Sequence, residues 1–223
     1  MRPLSFSHAE AVGLLTRQIE EFTSVASALD ELALDELALL GPSLCHGWSR
    51  LDALVHVRLG LEEMAMATTF ACSDSIDHDA ASYWFSYADD SGSDPVPDIL
   101  WLRRVASAHP RPASAMKHLA AVATGAVQAV RSMPESTIKW QNKVMTSGDF
   151  LATWVVELAI HQLDLAVDSS APVGIGWARQ TVEAVADAEL PSDLDDPRAV
   201  LVGLDRSLPP PETEVPRAFP ISL

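Results

Sequence analysis

Glu157 and His161 stand four residues apart in the run VVELAIHQLDLAVD, residues 155–168. On a helix that spacing sets two side chains side by side on one face, with Cβ atoms about 5–6 Å apart. A carboxylate oxygen and an imidazole nitrogen placed this way can hold one divalent cation. They can equally satisfy each other, or belong to a solvated ridge with Asp164 and Asp168, which continue the same spacing. The neighbours bear on the choice. Trp154, Val155, Val156, Leu158, Ala159, Ile160, Leu163, Leu165, Ala166 and Val167 cover almost the whole circumference, so the helix is expected to be buried on most sides. A carboxylate and an imidazole in such surroundings need a partner, because an unpaired buried charge is costly.

A second segment supplies a third donor. Of the seven histidines, only His56 and His161 fall within strongly apolar helical patterns; His56 lies in WSRLDALVHVRLGLEEM, flanked by Leu54, Val55, Val57 and Leu59. A lone histidine on an apolar face is more often a satisfied core residue than a ligand. Two helices each carrying one inward, with a glutamate four residues before the second, match a three-ligand set of His, His and Glu that leaves a coordination position open. Catalytic zinc sites have that form, and so do the facial sites of non-haem iron; spacing does not separate them.

Other chemistries lack their patterns. There is no G-x-S-x-G, P-loop or G-x-G-x-x-G, and GIGW at 174–177 reads as a turn opening a helix. Cys45 beside His46 would be an activated nucleophile only if the two meet in space. Asp74, Asp77, His78 and Asp79 read as a solvated loop, and DDSGSD at 89–94 lacks the closing glutamate of a calcium loop.

Helices must position these groups. Four long segments have helical periodicity: about residues 7–39, opened by a Ser7/Glu10 capping box; about 49–70, with Ser49 as N-cap and Asp52 at the third position; about 113–131, stopped by Pro134; and the helix of Glu157, opened by SGD at 147–149. Between the second and third lies the acidic, aromatic stretch at residues 72–98, expected to be a loop packed over one end of a bundle by Tyr83, Trp84, Phe85 and Tyr87, and a short helix follows at about 99–108. TIKWQNKVMTSGD is expected to hold a short extended stretch or hairpin, a fifth helix to run from Gly176 to about Glu189, and a short one from Pro197 to about Arg206, before a proline-rich extended tail. Residues 1–170 are thus expected to form the bundle, and 171–223 to pack on it without making an independent domain.

With 48% hydrophobic residues in 223, the chain can bury a sizeable core. A net charge of −16 argues against an extended nucleic-acid footprint or an anionic membrane surface. No secretory signal or membrane span is read, and two cysteines are too few for a disulfide framework, so a cytoplasmic setting is expected.

LCHGWSRLDALVHV, residues 44–57, resembles the Cys-x-Gly-Trp, seven residues, His signature of the mycothiol-dependent maleylpyruvate isomerase family, a branch of the DinB-like bundles. GDFLATWVVELAIHQLDLA, residues 148–166, resembles its second signature, in which Glu, three residues and His are followed three residues later by Asp. The resemblance implies an all-α, DinB-like four-helix bundle with His56, Glu157 and His161 binding a divalent metal, most often Zn2+, with Ni2+ or Fe2+ as alternatives. It also implies mycothiol as cosubstrate, with Asp164 and Trp48 on the thiol side of the site and Asp164 as a catalytic candidate. Thiol chemistry on a small electrophile then follows, as isomerase or S-transferase, with the acidic loop at residues 73–98 shaping the acceptor pocket. A non-catalytic metal-binding bundle and a zinc-water hydrolase of a thiol conjugate are the competing readings. The C-terminal segment is shorter than the isomerase's, and Arg198, Arg206 and Arg217 have no assigned role. The assembly is left open, with a homodimer among the candidates.

Overall fold

Apolar residues recurring every three or four positions fold here as helices that share one core. In the computed structural model, which describes residues 1–32, 36–90, 94–167 and 170–223, helix α1 (His8–Leu32) buries Ala11, Leu15, Ile19, Phe22, Ala26 and Leu29 along one stripe. Helix α2 (Arg50–Ala67) starts at Ser49, whose side chain accepts from the Asp52 amide while the Asp52 carboxylate accepts from the Ser49 amide. After α3 (Ala80–Asp90) and α4 (Val96–Ser107), helix α5 (Pro112–Ser132) buries Met116, Leu119, Ala123 and Val127. Helix α6 (Ser147–Asp164) begins at Thr146, which accepts from the Asp149 amide, and is buried almost all round, as its composition predicts.

Helices α1, α2, α5 and α6 form the bundle: α1 packs on α5 and α6, and α2 on α5 and α6. Strands β2 (Thr137–Trp140) and β3 (Lys143–Thr146) form the expected hairpin, turned by Gln141 and Asn142 at φ 48° and 61°. A two-residue strand β1 (Ala71–Cys72) pairs antiparallel with β2. Beyond the bundle, α7 (Ile175–Ala186) packs on α6, and α8 (Asp196–Gly203) on α6 and α7.

Two expectations change. The first helix is described over His8–Leu32, and Glu36–Leu40 wind as a short 3-10 helix where a continuing α-helix is expected. The acidic stretch does not stay a loop: Asp79 and Ser82 cap α3 reciprocally, and Ala80, Ala81, Tyr83 and Trp84 bury its inner face, so half of that stretch is helix. Asp168 and part of DDSGSD lie outside the described residues, as does the side chain of Tyr87.

The capping box at Ser49 fixes the start of α2, and with it Trp48. Ser49→Ala is expected to cost about 1 kcal/mol, which lowers Tm by about 2–4 °C. An unchanged thermal unfolding curve would refute that role for the cap.

Candidate metal centre

Glu157 lies mid-way along α6, and its Oε1 is 2.8 Å from His56 Nε2 on α2 and 3.3 Å from His161 Nε2 one turn further along α6. Donor atoms of the three residues all fall within 4.8 Å of one another. His161 is held from behind: its Nδ1 is 2.9 Å from Asp164 Oδ2. An ionised carboxylate only accepts, so Nδ1 carries the proton, and in the neutral ring the lone pair sits on Nε2, facing Glu157. The site opens on the His56 side, where the side chain is 32% exposed against 8% for His161.

The loop before α2 supplies the wall. Gly47, at φ +83°, adopts the left-handed conformation that a side chain disfavours. Across that turn the Ser43 amide donates to the Trp48 carbonyl, and the Ser43 hydroxyl accepts from the Cys45 amide. Trp48 is thereby laid against both imidazoles, with ring centroids 4.8 Å from His56 and 5.7 Å from His161. The Leu44 amide donates to the Asp164 carbonyl at 2.8 Å, and Arg50 Nε donates to the Leu165 carbonyl at 2.7 Å, tying this loop and the start of α2 to the end of α6. Trp48 also lines a cavity of about 600 Å³, together with Leu44, Cys45, Leu51, Arg103 and Ala106. One wall of it is thus α4, at Arg103 and Ala106, and none of the residues that line it falls within 73–98, the stretch expected to shape the acceptor pocket.

Burial alone would raise the Glu157 carboxyl, but the two imidazoles outweigh it and hold the group well below the usual carboxylate range. Burial would discharge His161; the carboxylates of Glu157 and Asp164 oppose this and push it up to about 9. In the ion-free protein this charge pairing therefore stabilises fully below the ordinary histidine value of 6.5 and is lost as pH rises through about 9. A cation must displace that proton. Metal affinity is accordingly expected to rise with pH and level off above about 9, with about one proton released per ion in the rising range. Calorimetry in buffers of different ionisation enthalpy measures this; an affinity unchanged across the range would contradict it.

Cys45 and His46 do not form a nucleophile and base. The His46 ring nitrogen Nε2 lies 3.1 Å from the Asp205 carbonyl, while Cys45 Sγ is 3.4 Å from an Arg206 terminal nitrogen. Burial pushes the thiol up to about 12, with Arg206 opposing and Asp164 adding to the rise. Of the residues singled out in the sequence, His56, Glu157 and His161 meet, Trp48 covers two of them, and Asp164 stands behind His161 with no exposed surface. Arg206, to which the sequence assigns no role, has its Nε 3.1 Å from Asp164 Oδ1, a pairing for which no local sequence pattern exists.

The fold is an all-α, DinB-like helical bundle, with two histidines and a glutamate gathered between two of its helices. Residues 15–166 match the mycothiol maleylpyruvate isomerase N-terminal domain family, and the chain belongs to that family. No curated protein and no solved structure matches the chain. No described helix is long and apolar enough to cross a membrane.

Proposed function

We propose that the protein is a metal-dependent enzyme that uses a low-molecular-weight thiol of the mycothiol type against a small electrophilic metabolite, as an isomerase or S-transferase. The observation that carries this reading is the donor set: two imidazoles and one carboxylate converge, and His161 Nδ1 is held against Asp164 so that loss of the second ring proton leaves Nε2 as the donor. Three protein ligands leave room for an exogenous one, whereas structural zinc sites are closed by four. These residues fit Zn2+ first, and Ni2+ or Fe2+ also suit nitrogen and carboxylate donors.

His56, Glu157 and His161 would hold the cation. When bound, it supplies Lewis-acid activation, lowering a thiol's pKa so that it is a nucleophile at neutral pH. Asp164 keeps the proton on His161 Nδ1 and the ring in orientation. Trp48 shields the imidazole faces from water on one side, and the cavity it lines would seat part of either substrate. Cys45, held as a neutral thiol, does not compete with the incoming one. The thiolate sulfur adds to an electron-poor double bond, rotation follows and the sulfur leaves; alternatively it displaces a leaving group and remains as a thioether.

The family's link to mycothiol supports the thiol, the charge of −16 argues against an extended nucleic-acid footprint, and two cysteines, too few for a disulfide framework, support a cytoplasmic setting. We take residues 171–223 as part of the same folding unit, since α7 and α8 both pack on α6. The test is turnover of electron-poor alkenes and alkyl halides by the zinc-loaded protein with and without mycothiol. Thiol-dependent isomerisation or thioether formation is expected. Hydrolysis of a mycothiol conjugate without added thiol would instead identify a hydrolase, and no turnover in any arm would favour a non-catalytic bundle.

A further inference from the structure

We infer that Arg206, which lies beyond the segment shared with the family, is a positioning residue for the metal centre, acting through Asp164 on His161. The inference rests on the metal-site reading above. Asp164 has no exposed surface, and among the described residues Oδ2 accepts from His161 Nδ1 at 2.9 Å and Oδ1 from Arg206 Nε at 3.1 Å. A fully buried carboxylate needs a cation beside it. When His161 is neutral, as a ligand must be, Arg206 is the charge that the structure sets against Asp164. Fixed by that ion pair, Asp164 keeps its second oxygen on Nδ1 and the imidazole keeps Nε2 toward Glu157.

The aim of Arg206 is built into the backbone. Helix α8 ends in a two-bond turn in which the Asp205 amide donates to the Val202 carbonyl at 3.3 Å and the Arg206 amide to the Leu201 carbonyl at 2.8 Å, with Asp205 at φ 57°. His46 Nε2 lies 3.1 Å from the Asp205 carbonyl, so the same turn is fastened to the loop that carries Trp48. A second guanidinium nitrogen reaches Cys45 Sγ on that loop. One arginine from the C-terminal segment therefore holds the end of α6 and the loop before α2 in register.

The experiment uses the full chain and four variants, Arg206→Met, Arg206→Lys, Asp164→Asn and the Asp164→Asn/Arg206→Met pair. Zinc affinity is measured by competition with a chromophoric chelator, and the visible spectrum of the cobalt-loaded protein reads ligand geometry. Arg206→Met is expected to weaken zinc by about tenfold, within the range for residues behind a ligand, and to change the cobalt spectrum; Arg206→Lys should recover part of both. Because the two residues act in series, the pair should bind zinc no more weakly than Asp164→Asn alone. Parent-like affinity and spectrum in a folded Arg206→Met, or losses that multiply in the pair, would overturn the inference. Should Arg206→Met fail to fold, parent-like binding by Arg206→Lys together with parent-like binding by Asp164→Asn would overturn it equally. A parent that takes up no zinc would remove the metal-site reading itself, an outcome distinct from any difference among variants.

Discussion

Protein carrying His56→Ala or His161→Ala is expected to purify without a divalent ion and with its helix content unchanged. Each substitution takes one of three donors from the cluster. Two remaining ligands cannot make up the lost bond, and even residues behind a ligand commonly cost 10–100-fold in affinity, so a loss beyond about 100-fold follows. The structural cost differs between the two. His56 is 32% exposed and leaves little void, whereas His161 is 8% exposed and its removal strips one of the two donors from Asp164. His161→Ala should therefore lower stability more than His56→Ala, although Arg206 still satisfies the buried carboxylate in part. Elemental mass spectrometry on untagged protein, with far-ultraviolet circular dichroism alongside, reads both effects. Full retention of metal in both variants would sink the site assignment.

Gly148→Ala is expected to be the most damaging single-methyl change. A Cβ at position 148 would stand 2.1 Å from the Phe6 carbonyl oxygen and 2.9 Å from the His8 amide nitrogen. Both are backbone atoms, so no rotamer change relieves the overlap. The N-terminal segment would have to lift from the first turn of α6. That breaks the Phe6 amide bond to Asp149 Oδ1 at 2.8 Å and the contact of His8 Nδ1 with Ser147 Oγ at 2.9 Å, and it disturbs the stacking of Phe6 on Trp177 at 3.9 Å. Overpacking of this kind costs about 3 kcal/mol or more, which for a chain of this size lowers Tm by about 6–12 °C. The metal should stay bound, since Glu157 and His161 lie further along α6 and His56 on α2. A Tm within about 2 °C of the parent would show that the backbone yields without cost.

The site was legible where its chemistry is local. Glu157 and His161 are one helical turn apart in a strongly apolar helix, so their pairing is written in i, i+4 spacing, and His56 could be added because its own segment has the same periodicity. Capping chemistry announced the start of α2 in the same way, and the pattern of strand, turn and strand announced β2 and β3. Helix α3 was missed because serine and aspartate dilute its apolar stripe; only the Asp79/Ser82 cap and the burial of Tyr83 and Trp84 give it away. The 3-10 winding of Glu36–Leu40 carried no glycine or proline within it to mark the change from α-helix. Cys45 and His46 show the converse, neighbours in the chain that turn to different partners. Arg206 depends on a helix-terminal turn, a long-range ion pair and a loop at the other end of the chain, none of which leaves a periodic trace.

The turn that binds Asp205 to His46 and aims Arg206 at Asp164 also sets an order of events. Chains are made from the N-terminus, and α2 and α6, which carry all three donors, precede α8. A growing chain thus displays His56, Glu157 and His161 before the side chain that keeps Asp164 in place has been added. On the reading proposed above, capture of an ion can begin before α8 is made, and firm retention follows only once Arg206 has been added.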